Sequence, residues 1–499
     1  MEAEIIQELL HKLDEMQSLI NDMAHTISSQ AETIENLNAT IAAQAETIEK
    51  LNATIAALLE KKNKNSNNSS KPPSSDGLNK KNRSLKQASG KKAGGQEGHK
   101  GVNFKVTDHP DLVEKHLPER CSCCPNREMC LANATVVETR YVVDFSVQTM
   151  TTAHECCEVV CPMSQKTEIG SFPESIRAHM QYGNHLQALV AAFNTIGAVS
   201  VNRVHQILGS VFGIPLATGT VSNIVTRLGS VCNPVVERIK ETVIAAKVAH
   251  FDETGTRIDG KTKWVHTAST KDVTYLYLGS KRGKDGMEAG GVLPAFRGTA
   301  VHDCWSAYWK YGCTHAVCCA HLLRELNGVM ENHPNQTWAK AFKGLLLDMK
   351  KAKEDRQRKG YDTMSDCDLR KFEEAYDAAL EIGFSENPIE NPASGKRGRP
   401  KKGKVRALIE RLQKYKGSVC LFIRDFAVPF DNNQAERDIR NVKVKTKVSG
   451  CFRTDEGASC YLRIMSYVGT AVKQGLNPYT AILQALDGVP PYLQLQPTE

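Results

Sequence analysis

A chain of 499 residues exceeds one ordinary domain and implies two to four. Its 41% hydrophobic content suffices for packed cores, but no run reaches the ~20 apolar residues of a membrane-spanning helix, and the start MEAEIIQELL lacks the blocks of a secretion signal, so the expected location is the cytoplasm with no membrane partner. The net charge of +8 is unevenly spread: residues 1–60 carry 11 acidic and 2 basic side chains, residues 61–100 carry 11 basic and 2 acidic, which sets an assembly arm beside a polyanion-binding segment.

Residues 1–60 are expected to be a coiled coil. From Ile6 to Leu58 the heptad is unbroken, with Ile6, Leu13, Ile20, Ile27, Ile34, Ile41, Ile48 and Ile55 at a, and mostly Leu or Met at d. Isoleucine at a with leucine at d favours a parallel pair, and Gln30 and Gln44 at d suit register control, so a homodimer is expected. Residues 31–43 and 45–57 are near copies, AETIENLNATIAA and AETIEKLNATIAA. Residues 61–101 offer almost nothing to bury and read as a basic, flexible linker suited to DNA phosphates.

Seven of the sixteen cysteines fall between Cys121 and Cys161, in a region (102–180) expected to be a small β module. ATVVETRYVVDFSV is its clearest strand pair. Cys121, Cys124, Cys157 and Cys161 are candidate zinc ligands, since two close thiolate pairs can close a tetrahedron; Cys123, Cys130 and Cys156 compete with them. Residues 181–245 read as helices. The break at Gly213-Ile214-Pro215 gives helix–turn–helix spacing, with Thr220, Ser222 and Asn223 offered to a DNA groove.

From residue 246 to 330 short β-branched strands alternate with helix, the pattern of a mixed α/β sheet. Residues 331–425 read as a helical insertion, and residues 426–499 return to helix. Within the insertion Lys396-Arg397-Gly398-Arg399-Pro400 resembles the core of an AT-hook, in which Arg397 and Arg399 would fit a narrow minor groove. Asp252 reads as the end of the first strand of the α/β domain and Asp303 as the end of a later one. Glu436 opens a helix after the insertion. Three converging carboxylates repel unless cations sit between them, and two Mg²⁺ or Mn²⁺ ions are the usual solution for phosphodiester chemistry. Glu253, Asp259 and Asp431 are competing acids.

Several long stretches carry a resemblance: NSSKPPSSDG with GGQEGHKG, HFDETGTRIDGKTKWVH, HDCWSAYWKYGCTHAVCCAHLLREL and DNNQAERDIRNVKVKTKVSGCFRTDEGA. Together and in this order they resemble the insertion-sequence-66 family of bacterial DDE transposases. The resemblance implies a multidomain α+β protein with an RNase H-like core interrupted by the insertion. It also implies Asp252, Asp303 and Glu436 as catalytic triad and Mg²⁺ ligands, DNA ends as substrate, and accessory proteins as partners. A catalytically inactive dimeric DNA-binding regulator is the alternative.

Smaller features fit this reading. Arg437, Arg440, Lys443, Lys445 and Lys447 follow Glu436 and are expected to hold phosphates. Cys318-x2-His321 is similar to a pair seen in DDE transposases with insertions. Trp264 and Trp305 are candidates for base stacking or for core. Ser164 stands where the family's last zinc-module cysteine is expected.

Overall fold

The computed structural model describes residues 2–69, 109–121, 123–145, 147–389, 403–489, 493 and 495. The first element, α1 (Glu2–Asn63), is one 62-residue helix, with Glu2 and Glu4 in its first turn and Lys61 and Lys62 in its last, matching the helix dipole. Its heptad residues are all exposed, Ile6 at 58% and Leu37 at 56% among them. Beyond Asn63 the chain stays ordered, contrary to the expected start of the linker. Asn65 N donates to Asn68 Oδ1 (2.7 Å), and Asn68 Nδ2 donates to Asn63 O (2.9 Å), so asparagine amides replace the lost helical bonds. The remainder of the linker, from residue 70, lies outside the described residues.

In the cysteine region the ordered elements are α2 (Arg127–Ala132) and an antiparallel hairpin of β1 (Glu158–Val160) and β2 (Thr167–Ile169). The expected strand pair at 134–147 does not form among its described residues. Val137, Val142 and Phe145 are 97%, 93% and 79% exposed, and β propensity without a ladder or a face to bury makes no sheet. Three helices follow: α3 (Asn184–Asn194), α4 (Val201–Phe212) and α5 (Thr218–Ile244). The Ser200 side chain caps α4, Gly213 ends it at φ 65°, and Val190, Val204, Leu208, Leu216, Val221 and Ile224 form a common core.

The sheet contains β3 (Val248–Ile258), β4 (Lys261–Ser269), β5 (Thr274–Gly279), β6 (Thr299–His302) and β7 (Thr314–Val317), in the order β5-β4-β3-β6-β7; α6 (Lys284–Ala289) precedes β6. The first three strands are antiparallel. The β3–β4 turn places Asp259 and Gly260 at φ 47° and 72°, the double left-handed conformation of a tight hairpin. Lys247 O accepts from Thr299 N (2.8 Å) and Gly298 O from Thr314 N (3.0 Å), so β3, β6 and β7 start side by side. After β7 come α7 (Cys319–Asn332), α8 (Trp338–Arg358), α9 (Asp366–Glu386), α10 (Lys404–Lys414), the short α11 (Lys416–Val419) and α12 (Leu421–Arg424), α13 (Asn433–Ser449), α14 (Asp455–Lys473) and α15 (Pro478–Leu486).

Two compact units result, one from Met1–Arg83, Val301–Ser306 and His315–Asn432, the other from Ser84–Ala300, Ala307–Thr314 and Asn433–Glu499. In the first, α8 and α9 pack around Trp338, Phe342 and Tyr376, and the Phe342 and Tyr376 ring centroids are 4.7 Å apart. The turn after α1 is seated on α7: Asn68 Nδ2 donates to Glu331 Oε2 (2.5 Å) and Asn327 Nδ2 to Asn67 O (3.3 Å). Gly328 makes room, since a Cβ there would stand 2.6 Å from Asn68 O.

In the second unit α13 and α14 cover one sheet face through Val265, Leu276, Ile439, Val442, Tyr461 and Leu462. β5 ends the sheet, and α14 shields it: Ser466 Oγ accepts from Leu276 N (2.8 Å) and Thr470 Oγ1 from Thr274 N (3.0 Å). α14 also lies close on α5, where a Cβ at Gly229 would come 2.7 Å from Cys460 Cβ. Gly229→Ala is therefore expected to lower the thermal midpoint, because overpacking by about 1–3 kcal/mol exceeds the gain in helix propensity. Gly209→Ala in α4, where nothing lies within 4 Å, is expected to raise it slightly. Thermal denaturation of the two variants checks both.

Candidate active site

Asp252 sits inside β3 rather than at its end, opposite Thr267 of β4. The strand runs on because it and β4 form a hairpin arm reaching the Asp259–Gly260 turn. Side chains along a strand alternate, so Asp252, Thr254 and Thr256 face one way and Glu253, Gly255 and Arg257 the other. The Asp252 face is the one α13 covers: Thr256 Oγ1 lies 3.3 Å from Thr446 Oγ1, and Val265 packs with Ile439 and Val442. Just past the end of α13, Phe452 bridges Ile258, so helix and strand run in the same direction. Counting back from the threonine pair, Asp252 lies about 13 Å along the strand and Glu436 about 15 Å along the helix. Both carboxylates therefore lie toward the same end of this unit, and both are half-buried. Asp252 Oδ1 accepts from Glu253 N (2.9 Å).

The competing acids are otherwise engaged or placed. Glu253 points to the opposite face, where Arg282 Nε (2.8 Å) and the Tyr308 hydroxyl (2.7 Å) donate to its carboxylate. Asp259 is an exposed turn residue and Asp431 is half-buried in the other unit.

Asp303 follows β6 directly, as expected, and belongs to the first unit. Its Oδ1 accepts from Trp305 N (3.0 Å), and the next residue, Cys304, takes φ 69°, an uncommon conformation for a residue with a Cβ. The turn is braced by His302, whose Nδ1 accepts from Cys304 N (3.1 Å) and whose Nε2 lies 3.1 Å from His315 Nδ1. Burial first, then the His315 charge, push His302 down to about 3, so it stays neutral. β7 leads into the Cys318-x2-His321 pair, whose Sγ and ring nitrogen lie within 4.8 Å of each other. Asn432 N donates to Cys318 Sγ (3.1 Å) and Cys319 N to Phe430 O (3.0 Å), so the segment before α13 returns to the start of α7. Glu436 is four residues further along the chain from Asn432.

On α13 the residues Arg437, Arg440, Lys443 and Lys447 are exposed, but Lys445 is not a surface cation. It is 6% exposed, donates to Asn194 O (2.8 Å) and Val199 O (3.0 Å), and lies 5.5 Å from the Tyr461 ring centroid. These two carbonyls make it a tie to the α3–α4 corner, not a phosphate contact. Ser449 Oγ donates to Ala198 O in the same corner (2.6 Å), where Ala198 has φ 54°. Sequence reasoning missed this; the signal was the alternation of Lys443, Lys445 and Lys447 against the helical period, which cannot keep all three on one face.

Ser222 and Asn223 are exposed and Thr220 half-buried in the first turns of α5. Arg397 and Arg399 lie outside the described residues. Among the described residues no three of Cys121, Cys124, Cys157 and Cys161 bring their sulfurs within 4.8 Å of one another. Cys161-Pro162-Met163-Ser164 nevertheless forms a tight turn, closed by Gln165 N to Cys161 O (2.8 Å). The Ser164 hydroxyl first, then the Ser164 and Met163 amides, hold the Cys161 thiol below its ordinary value.

Residues 179–460, more than half of the chain, match the model of the family described as Transposase IS66 family, and the chain belongs to that family. Residues 6–105 match a second model, Family of unknown function (DUF6444). No curated protein matches the chain. Among the described residues no helix is long and apolar enough to cross a membrane.

On the Glu253 face, His266 is buried opposite Glu253, and burial first, with the Arg282 charge adding to it, pushes it down to about 4. A histidine kept neutral below its ordinary value supports the fold fully above pH 6.5 and loses that support as pH falls through about 4. His266 is therefore expected to contribute a loss of thermal stability over this window, on the order of 3 kcal/mol at most. His266→Gln is expected to flatten the decline, which melting curves across pH will show.

Proposed function

We propose that this family member is an active DDE transposase that binds the ends of a mobile DNA element, cleaves them and joins them to a target. Asp252, Asp303 and Glu436 are its catalytic carboxylates. The observation that carries the reading is the shared end of Asp252 and Glu436 on β3 and α13, with Asp303 directly following β6, the neighbour of β3 in the sheet. An all-carboxylate set of hard oxygen donors suits Mg²⁺ or Mn²⁺ and disfavours zinc. Two such ions, when bound, would activate the attacking water or 3′-hydroxyl and stabilise the leaving 3′-oxygen. The chain's own residues supply position: the Trp305 amide orients Asp303, the Glu253 amide orients Asp252, and the α13 packing fixes Glu436.

DNA binding is assigned to Thr220, Ser222 and Asn223 on α5, to the exposed Arg437, Arg440 and Lys443 beside Glu436, and to Arg397 and Arg399 of the insertion. Zinc at Cys121, Cys124, Cys157 and Cys161 would brace the recognition region, with the Cys161 turn as one half of the site. The solvent-facing heptad seam of α1 supports homodimerisation, since a stripe of isoleucine and leucine is stable only when covered.

With duplexes bearing the element's ends, wild-type protein is expected to cleave and join in Mg²⁺. Asp252→Asn, Asp303→Asn and Glu436→Gln are each expected to lower the rate by about a thousandfold or more while leaving binding intact. Normal strand transfer by Asp303→Asn would remove that residue from the triad. Light scattering is expected to give a dimer for the full chain and a monomer once residues 2–60 are deleted; an unchanged mass would refute pairing through α1.

A further inference from the structure

The face of the β3–β4 hairpin turned away from α13 opens to solvent beyond Glu253. Gly255 and Arg257 are exposed there, while Thr254, Thr256 and Ile258 on the other face are buried. Trp264 is the cross-strand partner of Gly255, and a Cβ at Gly255 would come 4.0 Å from Trp264 Cη2. That is ordinary contact, so the indole lies across the open face of Gly255 on the same side of the hairpin as Glu253 and Arg257. The Arg282 guanidinium lies 5.4 Å from the centroid of the same ring.

Arg282 is held in that place from below. Its Nε and Nη2 meet Glu253 Oε1 at 2.8 and 2.6 Å, and the Tyr308 hydroxyl donates to Glu253 Oε2 at 2.7 Å. The Glu253 side chain is 1% exposed and that of Arg282 41%. Burying a carboxylate is costly, and an apolar side chain would fill a strand position with less penalty. What the acid achieves is a guanidinium locked in one orientation at the surface, against an aromatic ring, one residue along the strand from Asp252. A planar fork of N–H donors so fixed matches a phosphate. The neighbouring lysines do not compete for the role, because Lys281 pairs with Asp285 and Lys284 with Glu288, whereas Arg257 and Lys261 add exposed positive charge on the hairpin itself.

We infer that Arg282, Arg257 and Trp264 grip the phosphodiester backbone of a DNA strand passing the β3–β4 hairpin, with Glu253 as the residue that positions Arg282. The inference rests on the transposase reading for its ligand, and it assigns that ligand a surface outside the carboxylate triad and the α13 cations.

The test is anisotropy of the full chain with a labelled duplex carrying the element's end, in buffer without added Mg²⁺ or Mn²⁺ and without chelator, so that nothing is cut and any zinc stays bound. Arg282→Gln is expected to weaken binding about fivefold, with Arg282→Lys recovering part of the loss. Arg282→Gln strands the buried Glu253 charge, so Glu253→Gln/Arg282→Gln, which removes both, is the second variant and is expected to show the same loss at near wild-type melting temperature. Arg257→Gln, at an exposed position, is expected to weaken binding by a smaller factor. Wild-type affinity in the folded double variant overturns the role of Arg282, and wild-type affinity in Arg257→Gln overturns the grip if the double variant does not fold. Cleavage of the same duplex by the wild-type chain in Mg²⁺ reports separately on the transposase reading. Retained cleavage with unaltered binding by the variants sinks the grip alone, and a wild-type chain that binds no duplex sinks both.

Discussion

Alternation along β3 is the constraint from which the site follows. Because neighbouring residues of a strand must face opposite ways, Asp252 and Glu253 cannot share a role however similar their chemistry. One turns toward the face that α13 covers, and the other is buried against Arg282 and Tyr308. A slip of β3 by one residue would exchange them, placing a buried ion pair under α13 and Asp252 beside Arg282 and Tyr308. The buried Thr254, Thr256 and Ile258 oppose that slip, since it would turn all three off the face that α13 covers.

The helix α13 works at both of its ends. Its first turn carries Glu436, and its last turns hold the α3–α4 corner through Lys445 and Ser449. The helical region with recognition spacing is thereby fastened to the same rigid rod that sets the position of an acidic residue. The two are joined by about 20 Å of continuous helix rather than by a loop.

Much of this was legible in the chain, and the failures have identifiable causes. The heptads of α1, the break at Gly213 and the helices of residues 331–425 rest on local rules, and the elements lie where those rules put them. The strand pair expected at 134–147 rested on β-rich composition alone, with no turn residues and no apolar face to fix its pairing. Asp252 was read as a strand end because the apolar run stops there, yet the hairpin continues in polar threonines covered on one side only by α13, a contact about 190 residues away in sequence. Lys445 was read as a surface cation because nothing in a lone lysine announces two carbonyls from a distant turn. The pairing of Glu253 with Arg282 and Tyr308 was invisible for the same reason.

The seating of Asn65–Ser69 on α7 gives the spacing of the near-duplicate blocks in α1 a mechanical meaning. The copies begin at residues 31 and 45, fourteen apart, which is two heptads and four turns of a supercoiled helix. Losing or gaining one block would change the reach of the rod by about 21 Å while leaving its apolar stripe at the same angle to the root. An arm anchored in this way can be lengthened in steps of two heptads without retwisting what it supports, whereas an insertion of one or two residues would swing the stripe by roughly 100° or 200°.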